Sequence, residues 1–130
     1  MKKYAPLLIA LVLAACSFGA DRDASQRVVE RIRGQVAAGD YHPIYTEAAE
    51  ETRNTSTEAE LASVFRAVRD LGVPDESRMT GWEMRSDSSG TLVTLEYTSR
   101  YGSMPELAET FFLRSENGTF RLLGYDNNLP

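Results

Sequence analysis

Between Gly72 and Arg78 the spacing of apolar residues changes from helical to alternating, and no other feature of this 130-residue chain restricts its fold so strongly. Before the change, "NTSTEAELASVFRAVRDLG" (residues 54–72) places Glu60 three residues after Thr57, the pattern of a capping box. Leu61, Val64, Phe65, Val68 and Leu71 then form one helical stripe. Gly72 offers a left-handed stop and Pro74 bars continuation. After the change the period is two. A strand is predicted around Met79 to Ser86, with a turn at "DSSG" (residues 87–90). In "TLVTLEYTSRY" Val93, Leu95, Tyr97 and Ser99 share one face, and Thr94, Glu96, Thr98 and Arg100 the other. "AETFFLRSENGTFRLLGYD" supplies two more strands joined at Asn117-Gly118, a strong tight-turn dipeptide.

Upstream, residues 24–38 space Val28, Ile32 and Val36 four apart with Val29 alongside, and place Arg27, Glu30, Arg31 and Arg33 on other faces. This predicts an amphipathic helix that Gly39 ends. A shorter helical piece runs from Pro43 through Ile44, Tyr45, Ala48 and Ala49, with Glu47, Glu50 and Glu51 outward. Helices first and strands afterwards imply an α+β fold, with N-terminal helices packed on a four-stranded antiparallel sheet. Gly81 and Gly124, inside strand patterns, predict bulges or bends that curve the sheet into a cup. No repeat or low-complexity segment interrupts residues 25–130, which read as one domain.

The first 15 residues read differently. Lys2 and Lys3 precede "LLIALVLAACS", an apolar run shorter than the roughly 20 residues a spanning helix needs. Leu13-Ala14-Ala15-Cys16 resembles the lipobox of bacterial lipoproteins. The resemblance implies a signal peptide over residues 1–15, lipidation of Cys16, and a tether over residues 16–24. Ser17 resembles the residue that sends Gram-negative lipoproteins to the outer membrane, which implies a lipid-anchored envelope protein facing the periplasm. The alternative is an ordinary signal peptide with a cysteine beside its cleavage site. Cys16 is the one cysteine, so an intrachain disulfide is excluded. Removal of residues 1–15 takes both lysines, leaving 12 of the 14 basic residues against 19 acids. That excess argues against nucleic acid and against attraction to anionic lipid as partners.

The order of elements, together with "VAAGDYHPIY", "RNTSTEAELASVFRAVRDLG", Arg78, "LVTLEYTSRY" and "GTFRLLGYD", resembles the cystatin-like cone of the nuclear transport factor superfamily. More narrowly, it is similar to a group of uncharacterised bacterial secreted proteins and lipoproteins. The superfamily resemblance implies a cone that either binds ligands or proteins, or houses an acid and a tyrosine, or an Asp–His pair, for catalysis.

Within such a cone Trp82, Tyr97, Phe112 and Tyr125 are the candidate ligand-contacting residues, each pairing an apolar body or hydrogen-bonding tip with an alternating strand position. His42, the one histidine, stands at a helix entrance, where a solvated or capping role is expected. Glu47, Glu50 and Glu51 lack the glycine-turned loop a calcium site uses, and no metal or other cofactor is implied. Arg53, Arg78 and the helix entrance and hairpin at Asn54 and Asn117 read as structural. The lipobox resemblance, the cup-like order of elements and the missing catalytic set therefore imply a non-enzymatic, membrane-tethered domain that binds a small apolar ligand or an envelope partner protein. The competing expectation is an isomerase or hydrolase whose acid is Glu83, Glu96 or Glu109, with a tyrosine as electrophile.

Overall fold

The computed structural model describes residues 5–130, with side chains described from residue 19 onward. Lys2, Lys3 and the Cys16 thiol lie outside the described groups. Four helices precede four strands: α1 (Ala5–Ala38), α2 (His42–Thr46), α3 (Glu50–Thr55), α4 (Glu58–Arg69), β1 (Glu76–Asp87), β2 (Gly90–Arg100), β3 (Leu107–Glu116) and β4 (Thr119–Asn127). Among the described residues, no helix is long and apolar enough to cross a membrane.

The sheet is an antiparallel meander in the order β1-β2-β3-β4. Asn117 and Gly118 take positive φ values of 52° and 80°, as the β3–β4 hairpin turn requires. The central pair β2–β3 is regular, from Leu92 opposite Arg114 to Ser99 opposite Leu107. Each edge strand carries one surplus residue. In β1 Thr80 is passed over between Met79 and Gly81, and in β4 Leu123 is passed over between Leu122 and Gly124. The bulges therefore fall beside the two glycines that predict them. Thr52 of α3, itself buried, donates its hydroxyl to the Leu123 carbonyl at 2.7 Å and sits 3.3 Å from that of Leu122, giving partners to carbonyls at the bulge.

The helices cover the inner face. Val29, Ile32 and Val36 of α1 and Phe65 of α4 join Val93, Leu95, Phe111, Leu113 and Leu122 in one core. A smaller cluster of Val68, Tyr101 and Leu107 closes one end. Nothing described before Ala24 belongs to either cluster, so a chain begun at Ser17 keeps the whole of both.

Three helical expectations change. α1, expected to begin at residue 24, continues N-terminally through residues 16–24; no helix-breaking proline interrupts that stretch. The piece starting at Pro43 divides into α2 and α3, because Ala49 is extended (φ −58°, ψ 147°) and its N–H donates to the Leu122 carbonyl at 2.8 Å. On α4 the capping box forms with both of its hydrogen bonds, yet Val64 is 44% exposed and Ala62 is buried in its place.

Candidate functional site

The inner face of β3 runs Leu107, Glu109, Phe111, Leu113, so strand alternation drives a carboxylate into the core. Glu109 is only 2% exposed. A charge so placed is tolerated only when donors surround it. Its Oε1 accepts from Arg33 Nη2 at 3.1 Å and Ser99 Oγ at 2.7 Å, and its Oε2 accepts from Tyr125 Oη at 2.6 Å. Ser77 Oγ lies 2.9 Å from Ser99 Oγ, and Asn127 Nδ2 donates to Tyr125 Oη at 3.2 Å, extending the network across all four strands. The Arg33 guanidinium also lies 5.0 Å from the Tyr97 ring centre and 5.3 Å from that of Phe111, within cation–π range.

Arg33, Glu109 and Tyr125 of this network form the polar floor of a cleft of about 260 Å³. Ile32, Val36 and Ala37 of α1, Phe65 and Val68 of α4, and Phe111 of β3 make the apolar walls, while Arg33, Tyr101, Glu109 and Tyr125 bring polar groups. Gly72, Val73 and Pro74 contribute from the loop after α4, and Val73 is 76% exposed there. Gly72 has φ of 91°, so the loop leaves the helix by the left-handed turn that glycine allows.

The environment acts on the tyrosines. Burial first, then the Glu109 charge and its hydrogen bond, push the Tyr125 hydroxyl far above the ordinary tyrosine value. Burial and the Glu109 charge raise Tyr101 as well, while burial raises Tyr97 against the pull of Arg33. A raised folded value means that keeping Tyr125 neutral contributes stability fully present below the unfolded value of 10.0 and lost as pH climbs past it. Unfolding free energy measured from pH 8 to 11 should therefore fall on the alkaline side, and Tyr125→Phe should make that fall shallower. Identical slopes would contradict a buried, neutral Tyr125.

Of the four expected contact residues, Tyr125 lines this cleft and Trp82, Tyr97 and Phe112 do not. Trp82 donates from Nε1 to Ser25 Oγ at 3.1 Å, fastening β1 to α1. Tyr97 faces inward but serves as the platform for Arg33. Phe112 lies on the outer face opposite Gly124, and its neighbour Phe111 takes the inward place. Arg33, expected to face away from the core, is instead the ion-pair partner of Glu109.

Of the three expected acids, Glu83 and Glu96 are exposed, and Glu109 alone is buried. His42 is exposed and pairs with Glu58. Glu47 pairs with Arg31 and Glu51 with Arg114 at the surface, and Arg53 Nε donates to the Ala48 carbonyl at 3.2 Å. Among the described residues no group of three His, Cys, Asp or Glu side chains could hold a metal ion.

No protein-family model matches the chain, and no curated protein matches it. A solved structure titled Rd1NTF2_05, in a variant with five substitutions, is similar in fold, with a TM-score of 0.55 at 8% identity. The match covers 83% of this chain and 99% of that one. The chain thus has the α+β cone fold of nuclear-transport-factor-like proteins, with helices packed on a curved four-stranded antiparallel sheet.

Proposed function

We propose that this protein is a lipid-anchored binding domain whose cleft holds a small, largely apolar ligand. The observation that carries the reading is the cleft itself, with apolar walls from two helices and a strand above a floor of fixed polar groups. Such a combination is the usual form of a small-molecule site. The volume sets the scale: engineered cavities of about 150 Å³ take benzene, and sites for drug-sized ligands begin near 300 Å³. At about 260 Å³ the cleft suits a ligand between these.

Gly34 provides the test. It sits on the α1 wall with nothing within 4 Å of the position a Cβ would take. In Gly34→Leu the side chain should occupy the cleft while the helix gains about 1 kcal/mol in propensity. The protein begun at Ser17 should bind the neutral fluorophore phenylnaphthylamine, and Gly34→Leu should lose at least tenfold in affinity without a fall in Tm. No binding by the parent, or equal binding by the variant, would remove the proposal.

The enzyme reading draws on the burial of Glu109 beside Tyr125. Binding is favoured because this carboxylate already engages Arg33, Ser99 and Tyr125 and is the sole acid among the residues lining the cleft. An enzyme of the expected kind needs a tyrosine as electrophile, and Tyr125 already commits its hydroxyl proton to Glu109.

The anchor rests on the resemblance of Leu13 to Cys16 to a lipobox, and Ser17 supports the periplasmic side of an outer membrane as its place. Two or three acyl chains hold a protein durably where one does not. Cys16→Ser should abolish labelling by radioactive palmitate and move the protein out of the membrane fraction or leave it as an uncut precursor. Continued labelling would refute the anchor without touching the cleft.

A further inference from the structure

The cleft floor carries one ion pair, Arg33 with Glu109, and that pair decides what kind of polar end a ligand can bring. We propose that the site selects a neutral, hydroxyl-bearing apolar compound, an alcohol or phenol, and rejects the matching carboxylate and ammonium; this rests on the binding reading given above.

Acceptor positions and charge together set this selectivity. A carboxylate offers about four lone-pair sites, two on each oxygen. Among the described residues, Oε1 of Glu109 takes two donors, Arg33 and Ser99, whereas Oε2 takes one, Tyr125. One acceptor position on Oε2 is left, in a group that lines the cleft. A hydroxyl entering the cleft can donate there and form a charge-assisted bond, the stronger class of hydrogen bond.

Both kinds of charged ligand meet an opposing group. A carboxylate would be desolvated against Glu109, which is 1% exposed at its side chain and already ionically engaged. An ammonium would approach the same carboxylate but would be desolvated beside the Arg33 guanidinium, 3.1 Å from Oε1. The Arg33–Glu109 floor is close to neutral as a unit, so either ligand charge would stand unpaired there; Arg69, the other charge in the lining, is exposed, with Nε donating to the Ala37 carbonyl at 3.4 Å, so pairing a carboxylate with it gains little. A purely apolar ligand suffers no such repulsion, but it leaves the remaining acceptor position dry and empty. The walls, formed by Ile32, Val36, Phe65, Val68 and Phe111, supply the affinity, and the floor supplies the discrimination.

Four probes of one shape test this on the protein begun at Ser17: naphthol, methylnaphthalene, naphthoate and naphthylmethylammonium, each titrated by NMR at neutral pH. Naphthol should bind about tenfold more tightly than methylnaphthalene, the ratio expected for one hydrogen bond to a charged acceptor. Both ions should bind more weakly than methylnaphthalene. Glu109→Gln should reduce the preference for naphthol. If that variant does not fold, Tyr125→Phe, which opens a second position on Oε2, should retain or increase it. Equal affinity for naphthol and methylnaphthalene, or tightest binding of either ion, would overturn this inference while the binding reading stands. If none of the four binds and Gly34→Leu changes nothing, both fall together.

Discussion

Replacing Arg33 with methionine should destabilise the domain by about 3–5 kcal/mol, because it strips the charged partner from a carboxylate that cannot reach water. The Glu109 side chain is 1% exposed and that of Arg33 22%, so the pair is held inside the cone and not on its surface. Methionine approximates the length and apolar stem of arginine, which keeps the loss mainly electrostatic. The double variant Arg33→Met with Glu109→Gln makes the assignment testable. A neutral amide can still accept from Ser99 and Tyr125, so the double variant should recover at least half of the loss. Urea unfolding of the protein begun at Ser17 measures both. Because the pair is buried, the Arg33→Met loss should also change little with added salt. A cost below about 1 kcal/mol, typical of exposed pairs, would mean that Glu109 is hydrated and that the cleft floor is open to water.

Phe65→Ala should be comparably severe, at about 3–5 kcal/mol, with a fall in Tm on the order of 15 °C for a domain of this size. Phe65 is 1% exposed and is the largest buried side chain that α4 contributes to the main core. Its ring centre lies 4.9 Å from that of Tyr125, and Tyr125 in turn lies 4.9 Å from Phe111. Truncation removes the middle of the contact between α4 and the sheet and enlarges the cleft that Phe65 walls. Phenylnaphthylamine affinity should change along with stability. Exposed Val64→Ala on the same helix, at 44% exposure, is the control and should shift stability by under about 0.5 kcal/mol. Equal effects of the two substitutions would show that α4 packs in another rotation.

Much of this fold is legible in the chain because local chemistry and global form agree. The Thr57–Glu60 box, the Asn117-Gly118 hairpin and the alternation of Val93, Leu95, Tyr97 and Ser99 each need only a few neighbouring residues to act, and each is present. The break between α2 and α3 is different. It depends on the Ala49 N–H reaching Leu122, more than 70 positions away, and no local signal announces it.

The floor of the cleft is only half legible for related reasons. Phe111-Phe112 reads equally well in either strand phase, and only pairing with β4 decides which ring turns inward. The phase of β3 nevertheless offers a clue, since Leu107, Phe111 and Leu113 share a face with Glu109, an acid in an otherwise apolar row. Arg33 reads as solvated because it keeps company with Arg27 and Arg31. Yet it lies four residues after Val29 and three before Val36, at the edge of the buried stripe, from which a long side chain can reach inward.

The two bulges separate properties that a strand usually binds together, its curvature and the direction of its side chains. In β4 the surplus Leu123 sets Leu122 and Tyr125 three positions apart while both still face the core. Loss of Leu123 would leave them two apart in a plain ladder, again on one face, so the chemistry of the floor would survive while the bend of the wall would not. The same holds for Thr80 between Met79 and Trp82 in β1. Both surplus residues sit on edge strands, where a change of length disturbs one neighbour and not two. The cone can therefore be widened or narrowed, over evolution or by engineering, through single-residue changes in strand length that leave Glu109 and its donors in place.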